Sequence, residues 1–225
     1  MKLDLFKTFV FDCDGVILDS NKIKSEAFYE LGLPFGADIA EEFVDYHKAH
    51  GGISRFHKVA YLHAELLGKT NCQEEIEAGI KRYGELVREK LLTCEMTKGF
   101  GDFIRSLPEA AYKIVVSGGF QSELRDVFAA LGLDPYFDGI FGSPDTKSEI
   151  LTRQRQDSRF ASPAIYFGDS RLDYEAANEF DMDFLFLSQY TELNDWEGFC
   201  REHELRHILN WTCLNETTLA ESGQS

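Results

Sequence analysis

The chain has 225 residues, 44% of them hydrophobic and 28% charged, which allows one sizeable core or a core domain with a smaller insert. Its net charge of -16 repels phosphate backbones and anionic lipid, so nucleic acid and membrane surfaces are poor partners, and any anion site has to be made positive locally by a metal, a Lys or helix N-termini. No apolar run approaches the roughly 18 residues that span a bilayer, the start Met1-Lys2-Leu3-Asp4 lacks a signal-peptide layout, and five cysteines without a CxxC suit a reduced, cytoplasmic protein.

In chain order, the first short apolar run is Thr8-Phe9-Val10-Phe11. Similar runs return at Ile114-Val115-Val116, Gly139-Ile140-Phe141, Ala164-Ile165-Tyr166-Phe167 and Phe184-Leu185-Phe186-Leu187. Continuous apolar runs of this length fit strands covered on both faces, as in a parallel sheet. Helical spacing fills the later gaps, as in Leu124, Val127, Phe128 and Leu131 with Gly132 at the C-terminal cap position. The alternation predicts a doubly wound, Rossmann-like α/β domain. Between Ser20 and Cys94 only helical stripes occur, carried by Ala27, Phe28 and Leu31, by Ile39 and Phe43, by Phe56 and Val59, and by Ile76, Ile80 and Tyr83. They predict an inserted four-helix cap over 20–95, with the core formed by 1–19 and 96–225. The polar stretch from about Glu216 onward reads as a frayed tail.

Ligands of open α/β sheets bind beyond the carboxyl ends of the strands. The first strand runs into Asp12-Cys13-Asp14-Gly15, and the second ends at Ser117-Gly118-Gly119. The third leads to Lys147, and the fourth to Gly168-Asp169 and Asp173. This order and placement resemble the four motifs of the haloacid dehalogenase superfamily over roughly residues 5 to 190, with phosphoglycolate phosphatases and β-phosphoglucomutase as the nearest kinds. The insert resembles that superfamily's helical cap.

The resemblance implies a Mg²⁺-dependent phosphatase of a small phosphorylated metabolite, such as a sugar or sugar-acid phosphate. Asp12 is the expected nucleophile, forming an aspartyl-phosphate, and Asp14 the acid and then the base. Asp12, the main-chain carbonyl of Asp14 and Asp169 are expected to hold the metal, with Asp173 adjoining it or orienting a bound water. Ser117, the Gly118 amide and Lys147 are expected to hold the phosphoryl group. Thr146 and Glu149 form a capping box beside Lys147. His50-Gly51-Gly52-Ile53-Ser54-Arg55 resembles the cap's specificity loop, so Arg55 either grips the leaving group or is an exposed Arg. Cys13 is expected to pack.

Competing readings are a sugar phosphomutase, a non-catalytic binding domain of the same fold, and a zinc protease. The last rests on His203-Glu204-Leu205-Arg206-His207, a literal HExxH near the end of the chain. Cys200 and Arg206 have the spacing of cysteine phosphatases but no glycine-rich anion loop between them. Asp14 separates phosphate-ester chemistry from dehalogenation, because dehalogenases of the superfamily replace that acid.

Overall fold

The computed structural model describes residues 3–216. Six parallel strands form one sheet in the order β3-β2-β1-β4-β5-β6. They are β1 (Thr8–Phe11), β2 (Tyr112–Phe120), β3 (Gly139–Ser143), β4 (Ala164–Gly168), β5 (Asp183–Leu187) and β6 (Arg206–Ile208). The order reverses between β1 and β4, and at such a switch point the crossovers leave on opposite faces and open a crevice. Asp12 and Asp169 follow β1 and β4 directly, so the chain's topology delivers two acids to that crevice.

Both faces of the sheet are covered, which explains the unbroken apolar runs. In β1 the side chains alternate between the faces. Phe9 and Phe11 pack with Phe100, Phe103, Phe167 and Trp211, while Val10 packs with Ile150, Leu151, Tyr166 and Ala177. Full burial of each such aromatic or aliphatic side chain contributes roughly 1.5–3 kcal/mol. The covering helices are α5 (Phe100–Ser106), α6 (Gln121–Ala130), α7 (Lys147–Gln154), α8 (Arg171–Glu179) and α9 (Trp196–Glu202).

Four helices are inserted after β1: α1 (Asn21–Gly32), α2 (Ala37–Ala49), α3 (Arg55–Tyr61), which runs on into a π turn at Leu62–Leu66, and α4 (Gln73–Leu92). Phe28 centres their core, with ring centroids 5.2 Å from Phe43 and 4.2 Å from Tyr83. The two chain crossings into the insert pair with each other. Leu18 and Met96 form an antiparallel bridge, and the Asp19 and Thr97 amides donate to the Glu95 and Ile17 carbonyls, each at 2.9 Å. Trp211, stacked on Phe103 at 4.1 Å, donates its indole N–H to the Val16 carbonyl at 2.9 Å.

The structure adds one element beyond the sequence expectation. β6 extends the sheet past β5, pairing Leu185 with Arg206 and Leu187 with Ile208. Residues 217–225, most of the expected tail, lie outside the described residues. Among the described residues no helix is long and apolar enough to cross a membrane.

Candidate active site

β1 ends where Asp12 keeps a sheet hydrogen bond, its amide donating to the Phe167 carbonyl at 2.9 Å. The chain then turns through Gly15, whose φ is +73°. A Cβ there would stand 2.2 Å from Asp169 Oδ2, so the turn that aims Asp12 and Asp14 also needs a residue without a side chain. Asp12 is buried, and its Oδ1 accepts from Lys147 Nζ at 2.7 Å. Lys147 opens α7 within the Thr146–Glu149 capping box. Its ammonium stands at the unfavourable end of a helix dipole, and it is held there by Asp12 and Asp173.

Asp173 is fully buried at the third position of α8, and both its oxygens are occupied. Oδ1 accepts from Lys147 at 2.5 Å and from the Tyr166 hydroxyl at 3.0 Å. Oδ2 accepts from the Ser170 hydroxyl at 2.6 Å and the Ser170 amide at 3.1 Å. These contacts tie Asp173 to Lys147 and to the turn after β4, within reach of the other strand-end acids. Asp169 faces the cleft, with Oδ2 accepting from Asn21 Nδ2 at 2.7 Å.

The charges explain the acidities. Burial pushes the Asp12 carboxyl up to about 7; Lys147 opposes the rise, and the negative charges of Asp173 and Asp14 add to it. Asp169 is driven well above the carboxylate range by burial and by the charges of Asp12 and Asp173. Donor atoms of Asp12, Asp169 and Asp173 lie within 4.8 Å of one another, so these acids could hold a metal. A cation among them would relieve the repulsion that raises Asp12 and Asp169.

Asp14 points to the insert. Oδ1 accepts from the Ser20 hydroxyl at 2.5 Å, and Oδ2 forms an ion pair with Lys24 of α1. Burial works to raise this carboxyl, but Lys24 and Ser20 outweigh it and hold it below its ordinary value. With the side chain so committed, the main-chain carbonyl is what Asp14 could offer a metal.

In β2, Gly118 and Gly119 line the cleft. Ser117 is wholly buried, its hydroxyl accepting from the Gly119 amide at 3.1 Å. A Cβ on Gly118 would meet the Gly52 carbonyl oxygen at 2.1 Å, so the insert's glycine loop lies directly against this part of the core. Arg55 lines the cleft but is neither free nor exposed. Its Nη1 and Nη2 donate to the two carboxylate oxygens of Glu123 on α6, at 2.9 and 2.5 Å, and its guanidinium sits 4.7 Å from the Tyr83 ring centroid. Of the two expectations for Arg55, exposure is corrected: the side chain is buried at the cleft, in an ion pair that bridges insert and core.

Several cleft residues lie outside the sequence expectations: Asn21, Lys24, His47, Lys58 and Glu192. Asn21 and Lys24, three apart, share one face of α1, a signal present in the sequence. The others converge from separate elements, and no local pattern announces them. The local positive charge demanded by a net charge of -16 comes chiefly from the insert, through Lys24, Lys48, Arg55 and Lys58.

The HExxH segment is not a helix. His203 caps α9, Glu204 has φ +51°, and His207 lies in β6. The imidazole of His203 packs 4.8 Å from both Tyr174 and Phe199, so the zinc-protease reading fails on geometry. Cys200 is packed against Phe186, Phe199 and Leu205, and Arg206 lies in β6 rather than at an anion loop, so the cysteine-phosphatase spacing has no site behind it; burial also pushes the Cys200 thiol up to about 12. Cys13 is buried in the core, as expected.

No curated protein sequence matches the chain. Among solved structures, a putative phosphoglycolate phosphatase from Lactobacillus plantarum is 14% identical, with a TM-score of 0.69 over 94% of this chain and 98% of that one. A β-phosphoglucomutase from Clostridium difficile is 20% identical, with a TM-score of 0.72 over 93% of each chain. At these identities the likeness is one of fold. A family model, haloacid dehalogenase-like hydrolase, matches residues 6–181, most of the chain, and it spans every strand-end acid described above. The chain is therefore a member of the haloacid dehalogenase-like hydrolase family.

Proposed function

We propose that the protein is a Mg²⁺-dependent phosphatase of a small phosphorylated metabolite, working through an aspartyl-phosphate on Asp12. The observation that carries this reading is the placement of Asp12 at the switch point, with Lys147 on Oδ1 and Asp14 in the same cleft. Asp12 and Asp169 offer hard oxygen donors, joined by the Asp14 carbonyl, which suit Mg²⁺. When bound, the ion neutralises charge on the phosphoryl oxygens and lets a dianionic ester approach a carboxylate.

The chain's own residues do the rest. Lys147 holds Asp12 in position and shares the negative charge of the transferring group, while Gly118, the residue whose amide would meet the phosphoryl oxygens, lines the same cleft. Oδ2 of Asp12 forms the new bond to phosphorus as the bond to the leaving oxygen breaks. Asp14 supplies that oxygen's proton, its carboxyl being raised when a phosphate dianion arrives beside it. Paired again with Lys24, it is the carboxylate that takes a proton from the water attacking phosphorus, as the Asp12 Oδ2–phosphorus bond breaks and inorganic phosphate leaves. Ser117 supports the glycine turn through its bond to the Gly119 amide.

In this reading residues 20–95 are a cap closing on the core of 1–19 and 96–225. Five free cysteines suit the cytoplasm. The test is release of inorganic phosphate from a panel of sugar, sugar-acid and short carboxylate phosphates, with Mg²⁺ and with a chelator. Release should require the metal and vanish in Asp12→Asn with the fold retained by circular dichroism; substantial turnover by that variant would exclude the covalent route. Isomerisation of a sugar phosphate without net release would make the protein a phosphomutase using the same acids.

A further inference from the structure

Three cations in or beside the cleft have carboxylate partners: the buried Lys147 with Asp12 and Asp173, the half-buried Lys24 with Asp14, and the buried Arg55 with Glu123. Lys58 does not. It lines the cleft from α3 and is 2% exposed, yet among the described residues no carboxylate lies within ion-pairing distance of its ammonium. Its Nζ meets only neutral groups, donating to His47 Nδ1 at 2.6 Å and standing 3.4 Å from the His47 carbonyl oxygen and 5.4 Å from the Phe28 ring centroid. A buried charge without a counter-charge is costly, and it is kept where a partner arrives to meet it.

His47 completes the arrangement. Accepting at Nδ1 places the proton of the neutral ring on Nε2. Burial, with the charges of Lys58, Lys24 and Lys48, keeps the ring neutral. That Nε2 is buried and has no hydrogen-bond partner. Glu192 is the nearest carboxylate, 3.8 Å from it and also 3.8 Å from Lys48 Nζ, and it is tied to the Ser25 hydroxyl. An ammonium without a counter-charge and a ring N–H without a hydrogen-bond acceptor therefore line one wall of the cleft. This is the insert's wall of a cleft whose core wall carries Asp12 and Asp169.

We infer that Lys58 and His47 form a second anion subsite, which takes a carboxylate or phosphate group carried on the leaving group of the substrate. The inference rests on the phosphatase reading for what happens at Asp12, but not for the subsite itself. The substrate is then anionic at both ends: the reacting phosphate lies against the core and the second anion against α2 and α3. A neutral leaving group would leave the Lys58 charge without a counter-charge and the His47 Nε2–H unpaired in a buried site, which is how polar sites reject near-isosteres. Burial and the neighbouring charge of Lys24 lower Lys58 to about 7, and an anion at the subsite would restore its charge.

The test compares kcat/KM within matched pairs: glycerol phosphate against phosphoglycerate, and a hexose monophosphate against the corresponding phosphogluconate and hexose bisphosphate. The last two separate a carboxylate from a phosphate as the second group. In the favoured pair the wild-type protein should prefer the doubly anionic member by at least about tenfold, the weight of one charged hydrogen bond. Lys58→Met should collapse that ratio through KM, His47→Phe should reduce it, and Lys58→Arg should recover part of it. Equal use of neutral and anionic members by the wild type, or equal losses on both in Lys58→Met, would overturn the subsite. If no compound is hydrolysed, the phosphatase reading has failed and the subsite is judged by calorimetric titration with glycerate, malonate and inorganic phosphate. Saturable binding of one of them, weakened at least about tenfold in Lys58→Met, would uphold it; no binding, or equal binding by the variant, would overturn it.

Discussion

Gly118→Ala isolates the contact between the insert's glycine loop and the core. The backbone at Gly118 lies outside the left-handed region, and alanine keeps the amide N–H, so the change adds only a methyl group. That methyl would stand 2.1 Å from the Gly52 carbonyl oxygen. Carbon–oxygen contacts relax at about 3.3 Å, so the loop has to retreat by about 1.2 Å. A displacement of about 1 Å in a positioning element can cost about 10²-fold in rate. The loop lies at the cleft, so the loss should appear in kcat/KM for a generic aryl phosphate. A melting temperature within about 4 °C of wild type would show that the protein remains folded, since about 1 kcal/mol shifts a chain of this size by that much. If Gly118→Ala keeps kcat/KM within about threefold, the loop does not come this close to Gly118 during turnover, and the closed arrangement is not the one that reacts.

Three further predictions follow from the charges and contacts. Asp12 is raised from its ordinary 3.8 to about 7 in the metal-free protein, so its protonated form favours the fold and stability falls as pH rises between those values. Mg²⁺ requires the ionised carboxylates, so its lift in melting temperature should grow between about pH 5 and about pH 8; equal lifts at both would remove Asp12 and Asp169 from the metal site. Arg55→Ala and Glu123→Gln should raise KM alike for all substrates, and a double-mutant cycle should give a coupling of about 1 kcal/mol or more. A change of substrate preference in Arg55→Ala alone would return Arg55 to direct leaving-group contact. Replacing His203 and His207 by Ala should leave phosphate release unchanged; loss of activity together with loss of bound zinc would revive the metal reading of that segment.

The sequence shows the parts of this molecule that one element can specify alone. β1 and β4 read as strands because both faces are buried, and the acids after them are legible because the chain carries them directly to the switch point. The Thr146–Glu149 capping box is local and was equally plain. β6 was not legible, since Arg206-His207-Ile208 is three residues with one apolar side chain, and its pairing with β5 is a tertiary event. The fate of Arg55 was hidden for the same reason, because Glu123 lies 68 residues away. Lys58 and His47 carry no motif, and only the packing of α2 against α3 makes them neighbours. HExxH misleads in the opposite sense: the pattern is local, but the helix that gives it meaning is absent.

The paired crossings between core and insert restrict how the two can move. Two independent linkers would let the insert tilt, twist and slide. A bonded ribbon through Leu18 and Met96, held by the Trp211 indole at Val16, ties the two crossings to each other, so that neither shifts without the other. The Gly52–Gly118 contact, the Lys24–Asp14 pair and the Arg55–Glu123 pair span the same boundary between insert and core, so a strain on the ribbon bears on all three.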